Sequence, residues 1–279
     1  MQTVPVPASE RQDVWAVVVA GGSGTRFGSK KQYALLDGRP VLDWSLAAAR
    51  AACSGVVLVL PFDDTAEPTR SWDADVVVAG GVSRSDSVRA GLAAVPSAAR
   101  IIVVHDAARP LAGPAIWRRA IEAVRHGADG AVPVVSVTDT IKSVGTDGAL
   151  VTLDRAGLVA VQTPQAFAAH ALLRAHRNGD DATDDAALVE ADGGTVVLVP
   201  GHPHNLKVTH PPDLLVVVAL LPVHRAEVDG PATAPGSGAA TATATATATG
   251  PATGPGTAAD PGPATGPTTG PSPSLAGSS

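Results

Sequence analysis

The sequence holds a single cysteine, Cys53, in 279 residues, so no disulfide can form within the chain. That usage fits a reducing compartment, and a cytoplasmic protein is the expectation. Aromatic residues make up only 3% of the chain. Trp15, Trp44, Trp72 and Trp117 are scattered without interleaved basic residues, so they read as packing residues and not as a base-stacking platform. Long apolar runs are missing as well. The stretch 214–223 is too short to span a bilayer and is interrupted by Pro222. Residues 1–12 are polar and contain proline, with no apolar segment of the signal-peptide kind. The formal net charge of -6 argues against a nucleic-acid partner, so an anionic ligand has to be held by local cations. From Glu227 onward there is no lysine, arginine or aromatic residue, and Thr-Ala and Gly-Pro units dominate. Such a composition buries too little apolar surface to offset its ordering entropy. The expected organisation is a flexible lead-in over 1–12, one folded domain over 13–225 and a disordered tail over 226–279.

Within 13–225, apolar runs alternate with amphipathic stretches. Strands are expected at 14–20, 56–60, 76–79, 101–104, 130–135 and 195–199, and helices at 41–52, 83–95, 114–126, 167–177, 184–191 and 211–221. Ser83 and Asp86 carry the spacing of a helix-capping box. Strands alternating with helices predict an α/β fold: a Rossmann-like, mainly parallel twisted sheet with helices on both faces. Ligands of such sheets bind beyond the carboxyl ends of the strands.

Three stretches occupy that edge. The first is VVVAGGSGTRFGSKK (17–31), which runs from a strand into glycines and then into Arg26, Lys30 and Lys31. Glycines let backbone approach a ligand closely, and the cations add full charge to the exposed N–H groups. It is neither a dinucleotide fingerprint, because Phe27 stands where the third glycine belongs, nor a Walker A loop, because no Gly-Lys-Ser/Thr follows. A cationic loop of this kind suits a reacting triphosphate. The second stretch is GGVSRSDSV (80–88), whose hydroxyls and helix-start amides can read a flat polar ring. The third is VVHDAARP (103–110). Asp106 follows a strand and points into the crevice, where one carboxylate plus phosphate oxygens suits Mg2+. Arg109 can contact an anion or pair with Asp106.

Together with VTDTIKSV, LDRAGL, QTPQAF, ATDDAALVE and NLKVTHPPDL, these stretches make residues 14–223 resemble the 2-C-methyl-D-erythritol 4-phosphate cytidylyltransferase family. The resemblance implies transfer of CMP from CTP to methylerythritol phosphate with release of pyrophosphate, in the non-mevalonate route to isoprenoids. By position it implies Arg26, Lys31 and Lys207 as catalytic cations and Asp106 beside Mg2+. Ala20, Gly21, Gly22, Gly24, Gly81, Val82 and Ser87 would bind the nucleotide, with Arg84 beside them. Arg109, Thr140, Arg155, Thr163 and Thr183 would hold the acceptor. Residues 136–160 would form an arm that hooks a second subunit, so that Thr140 and Arg155 serve the neighbour's site in a homodimer. The spacing from Arg26 to Lys31 is about two residues shorter than the family pattern, and Lys30 is an additional cation beside Lys31.

Other readings compete. A ribitol 5-phosphate cytidylyltransferase would differ mainly at the acceptor pocket. A non-catalytic nucleotide-binding module fits poorly with Arg26, Lys31, Asp106 and Lys207 all present. A glycosyltransferase would carry an Asp-x-Asp motif, which His105-Asp106-Ala107 is not. His202, Pro203 and His204, with nearby His210, are read as solvated or hydrogen-bonded, because no cysteine or close carboxylate completes a metal site. Asp180, Asp181, Asp184 and Asp185 are read as a solvated loop and an acidic helix start.

Overall fold

The computed structural model describes residues 13–21, 27, 28, 30–66 and 70–229. Gly22, Gly24 and Arg26 lie outside the described residues, as do the lead-in over 1–12 and 230–279 of the expected tail.

Strand β1 (Val14–Val19) is an unbroken run of apolar residues, as a strand covered on both faces requires. It lies parallel to both β4 (Gly55–Leu60) and β6 (Ile101–Asp106), and β5 (Val76–Ala79) adds beyond β4 in the same sense. On the other side of β6 the direction reverses. Strands β10 (Val159–Val161) and β11 (Gln165–Ala168) run antiparallel to β7 (Gly130–Ser136), and β12 (Val196–Pro200) runs parallel to it. The order across the eight-stranded sheet is β10-β7-β11-β6-β1-β4-β5, with β12 on β7. The start of the helix expected over 167–177 is therefore strand. Phe167 pairs with Ile102 and is fully buried, and the helix begins only at Ala169. Four residues of strand inserted between β6 and β7 carry no periodicity that separates them from a helix start.

The two-residue period of the strands divides the core. Val14, Ala16, Val18, Val56 and Leu58 face one layer, while Val17, Val57 and Val59 face the other. Helices α1 (Val41–Ala52) and α4 (Pro114–Arg125) cover the first layer through Leu42, Leu46, Trp117 and Ile121. After the short α2 (Phe62–Ala66), helix α3 (Arg84–Ala93) covers the second layer, joined there by α5 (Ala169–Ala175) and α6 (Asp185–Ala191). The last helix, α7 (Pro211–Asp229), runs past Arg225 and packs Val217 and Leu221 on Leu36, Val41, Leu111 and Val208. Leu36 belongs to a small hairpin of β2 (Leu35–Leu36) and β3 (Arg39–Pro40). Among the described residues no helix is long and apolar enough to cross a membrane.

Between β7 and β10, residues 137–158 leave the sheet as an arm, while 136, 159 and 160 of the expected arm stay paired in it. Its tip is a hairpin of β8 (Lys142–Val144) and β9 (Leu150–Thr152), with every strand residue exposed. Val144, Leu150 and Val151 are 57–68% exposed, an apolar surface left uncovered among the described residues.

Helix α3 sits so close to the sheet that Gly91 has no room for a side chain. A Cβ there would lie 2.4 Å from Val17 Cγ1 and 2.9 Å from Val59 Cγ2, both on fully buried residues. Overpacking at this point outweighs the gain in helix propensity. Gly91→Ala is expected to lower stability by about 1–2 kcal/mol, read from the urea midpoint.

Candidate active site

A cleft of about 380 Å³ opens at the carboxyl ends of β1 and β6. Ala20, Gly21 and Lys31 line one wall. Gly81, Val82, Ser83, Arg84 and Ser87 form the second, and Asp106, Ala107, Ala108 and Lys207 close the third. The volume is that of a small-ligand site.

Each wall is built by local rules. Asp106 ends β6, and its backbone N–H donates to Thr163 Oγ1 at 3.0 Å. Lys207 comes from the opposite end of the chain. Asn205, fully buried, donates through Nδ2 to Thr163 O at 2.9 Å and Gln162 Oε1 at 3.2 Å. Val208 is fully buried and donates its N–H to Ala108 O at 2.8 Å. Between these two anchors Lys207 faces the cleft, with Nζ 2.7 Å from Asp106 Oδ2.

The adjacent lysines are separated by a 3-10 turn over Lys31–Tyr33. Gln32 is buried, and Tyr33 stacks on Trp72 and donates its hydroxyl to Asp64 Oδ2 at 2.6 Å. Lys30 pairs with Asp64 as well, so it points away from the cleft wall that Lys31 lines. Burial, with the Asp64 bond, raises the Tyr33 pKa above its ordinary value, so this phenol remains a donor.

The second wall begins with the expected capping box. Ser83 Oγ accepts from Asp86 N, and Asp86 Oδ2 accepts from Ser83 N. Gly81 allows the preceding chain to fold against this start, because a Cβ there would lie 2.2 Å from Asp86 Cβ. Ser87 Oγ accepts the Gly81 N–H at 3.2 Å and donates to Ser83 O at 3.0 Å, which fixes the loop edge.

The electrostatics centre on Asp106. Burial alone would raise its pKa, but Lys207, Arg84 and Arg109 more than offset burial and hold the carboxyl well below the ordinary range. Arg84 Nε lies 3.6 Å from Asp106 Oδ1, and its Nη1 donates to Asp185 Oδ2 at 2.9 Å. Burial opposes the Arg84 charge, and the two carboxylates outweigh it, raising that pKa. Asp185 also receives His176 Nε2 at 3.1 Å, and both residues are buried. Beneath the cleft, burial pushes His105 down to about 4, so it packs as a neutral ring against Thr163 Oγ1 and Trp117.

The structure thus brings Ala20, Gly21, Lys31, Gly81, Val82, Ser87, Asp106 and Lys207 to one cleft. The remaining described candidates do not line this cleft. Thr163 sits under Asp106 and holds its backbone. Arg109 donates to Asn205 O and Val161 O. Thr183 is exposed, Thr140 is exposed on the arm, and Arg155 donates to Thr138 O there. Asp184 and Asp185 open a helix as expected, with Asp184 as its cap, and Asp185 has a second task that the sequence reading missed, being fully buried against Arg84. A doubled aspartate at one helix start was the available signal, because capping uses only one of them.

The family model for 2-C-methyl-D-erythritol 4-phosphate cytidylyltransferase (IspD) matches residues 14–222. The chain belongs to that family. It is 43% identical to the Streptomyces avermitilis cytidylyltransferase of that name over 78% of this chain and 94% of the relative. A bifunctional IspD/IspF enzyme of Solidesulfovibrio magneticus is 43% identical over 72% of this chain, which spans only 55% of that relative. The crystal structure of the cytidylyltransferase from Thermus thermophilus superposes with a TM-score of 0.64 at 34% identity, covering 74% of this chain and 98% of that one. Family members are nucleotidyltransferases, which places this chain among enzymes and matches its α/β sheet to their fold.

Two outcomes test the electrostatic frame. Arg84→Met strands Asp185 in the core and is expected to cost about 3–5 kcal/mol, while Arg84→Met/Asp185→Leu recovers part of that loss in urea unfolding. The Asp106 pairing contributes stability above its unfolded pKa of about 3.9, and that contribution is lost as pH falls through the depressed folded value. Unfolding midpoints of Lys207→Ala are therefore expected to depend less on pH below about 4 than those of the parent.

Proposed function

We propose that this chain transfers CMP from CTP to 2-C-methyl-D-erythritol 4-phosphate, releasing pyrophosphate, as a cytoplasmic homodimer that uses Mg2+. The observation that carries the reading is the meeting of Lys31, Lys207 and Asp106 at one cleft from three distant parts of a chain of this family.

In this reading the acceptor's phosphate oxygen attacks the α-phosphorus of CTP, and the bond to the bridging oxygen of pyrophosphate breaks. The nucleophile is already ionised, so no general base is required. Catalysis is then a matter of placing two anions together and neutralising their charge. Lys31 and Lys207 supply cations from two walls of the cleft, and Arg26 is the third cation of the proposed set. Ser87 and the Gly81–Val82 backbone offer the flat polar edge that suits cytosine. Arg109, Thr140, Arg155, Thr163 and Thr183 remain the proposed acceptor set, with Thr140 and Arg155 reaching a neighbouring subunit. The exposed apolar residues of the arm support that assembly.

The donor chemistry fits Mg2+. Asp106 stays ionised at the cleft, and a hard dication takes one carboxylate together with phosphate oxygens and water. Asp106 would hold the ion, which when bound adds positive charge beside the triphosphate. Lys207 and Arg84 orient the carboxylate and limit its freedom.

The assay combines the chain with CTP, Mg2+ and either methylerythritol phosphate or ribitol 5-phosphate, and follows pyrophosphate. Release with the first acceptor alone is expected, and release with the second alone overturns the substrate assignment. Lys31→Ala is expected to lower turnover about 10²–10³-fold, the scale of losing one preorganised charge-stabilising donor. Lys30→Ala, whose ammonium is committed to Asp64, is expected to keep turnover near the parent value.

A further inference from the structure

Helix α7 brings a carboxylate to a pair of imidazoles that the sequence leaves without one. Glu227 Oε1 lies 3.7 Å from His202 Nε2 and 3.8 Å from His204 Nδ1. The three donor atoms fall within 4.8 Å of one another. We propose that His202, His204 and Glu227 form a binding site for a borderline transition-metal dication of the zinc class, separate from the cleft that holds Asp106.

Geometry supports it first. Pro203 sits between the histidines, the rings meet edge to face with centroids 4.6 Å apart, and one nitrogen of each lies within 4.8 Å of the other donors. Donors on a tetrahedral zinc at about 2.0–2.1 Å stand roughly 3.3 Å from each other. The two distances to Glu227 exceed that by a few tenths of an ångström, which side-chain rotation supplies. At 3.7 and 3.8 Å they are too long for hydrogen bonds.

The state of the donors agrees. His204 Nδ1 is shielded from solvent and has no hydrogen-bond partner among the described residues, a costly arrangement for a ring nitrogen unless something else binds it. Arg119 directs its Nε to Pro200 O and not to the donors. His202 Nδ1 accepts the His204 N–H at 3.2 Å, which leaves the ring proton on Nε2. Loading an ion moves that proton to Nδ1 and gives up this long bond.

Two nitrogens and one carboxylate oxygen select a borderline metal over Mg2+, which takes oxygen ligands. The ion would tie the 201–206 loop to α7. That loop carries Asn205, whose carbonyl receives Arg109, and it leads directly to Lys207. The bound metal would thus stiffen the segment that delivers Lys207 to the cleft.

The test is a calorimetric Zn2+ titration of the full chain, paired with thermal melts and with Co2+ as a spectroscopic probe. One saturable equivalent of Zn2+, a raised melting temperature and the intense visible absorption of tetrahedral Co2+ are expected. His204→Ala and Glu227→Gln are each expected to weaken Zn2+ binding more than about tenfold, the scale of disturbing a metal site's supports. His210→Ala, an exposed histidine outside the cluster, is expected to leave affinity unchanged. Should His204→Ala not fold, Glu227→Gln decides, because Glu227 is half-exposed. Failure of the parent chain to bind one equivalent, or equal binding by parent and Glu227→Gln, overturns the proposal.

Discussion

A carboxylate placed in a buried wall has to be matched by cations, and the cleft is organised around that requirement at Asp106. Lys207 and Arg84 meet it from two directions. Each needs its own support. Lys207 is delivered by a strip pinned at Asn205 and Val208, and Arg84 is braced from behind by Asp185, itself bonded to His176. The chain of contacts crosses from the C-terminal segment, over the end of β6, to α3 and α6. An ionised group without such matching would protonate or open the wall, so charge balance ties the fold to the chemistry.

The same matching explains how neighbouring residues of one type are given different tasks. Lys30 and Lys31 are adjacent, yet the 3-10 turn sends Lys30 to Asp64 and leaves Lys31 on the cleft. Asp184 and Asp185 are adjacent, yet one caps a helix and the other is buried against a guanidinium. Side-chain direction, set by local backbone, decides which partner each residue meets in both pairs.

The sheet and most helices were legible because their signals are local: apolar strands, amphipathic stretches and a capping box at Ser83 and Asp86. The cleft was legible too, since glycine-rich turns after strands place residues at the sheet's carboxyl edge. What the sequence concealed is contact between segments far apart. Phe167 reads as a helix residue until β6 and β7 flank it. Glu227 reads as the start of a tail until α7 continues through it to meet His202 and His204. The burial of Asp185 follows from Arg84, 101 positions earlier, and no spacing rule connects the two.

The central claim is that ammonium groups from the two ends of the domain act on one phosphate beside Asp106. A crystal structure of the chain with CTP and Mg2+ tests it most directly. The account predicts Lys31 Nζ and Lys207 Nζ within hydrogen-bonding distance of α-phosphate oxygens, with the metal on Asp106 and cytosine against the Gly81–Ser87 wall. A nucleotide bound with its α-phosphate remote from both lysines, or with the metal held away from Asp106, would contradict it.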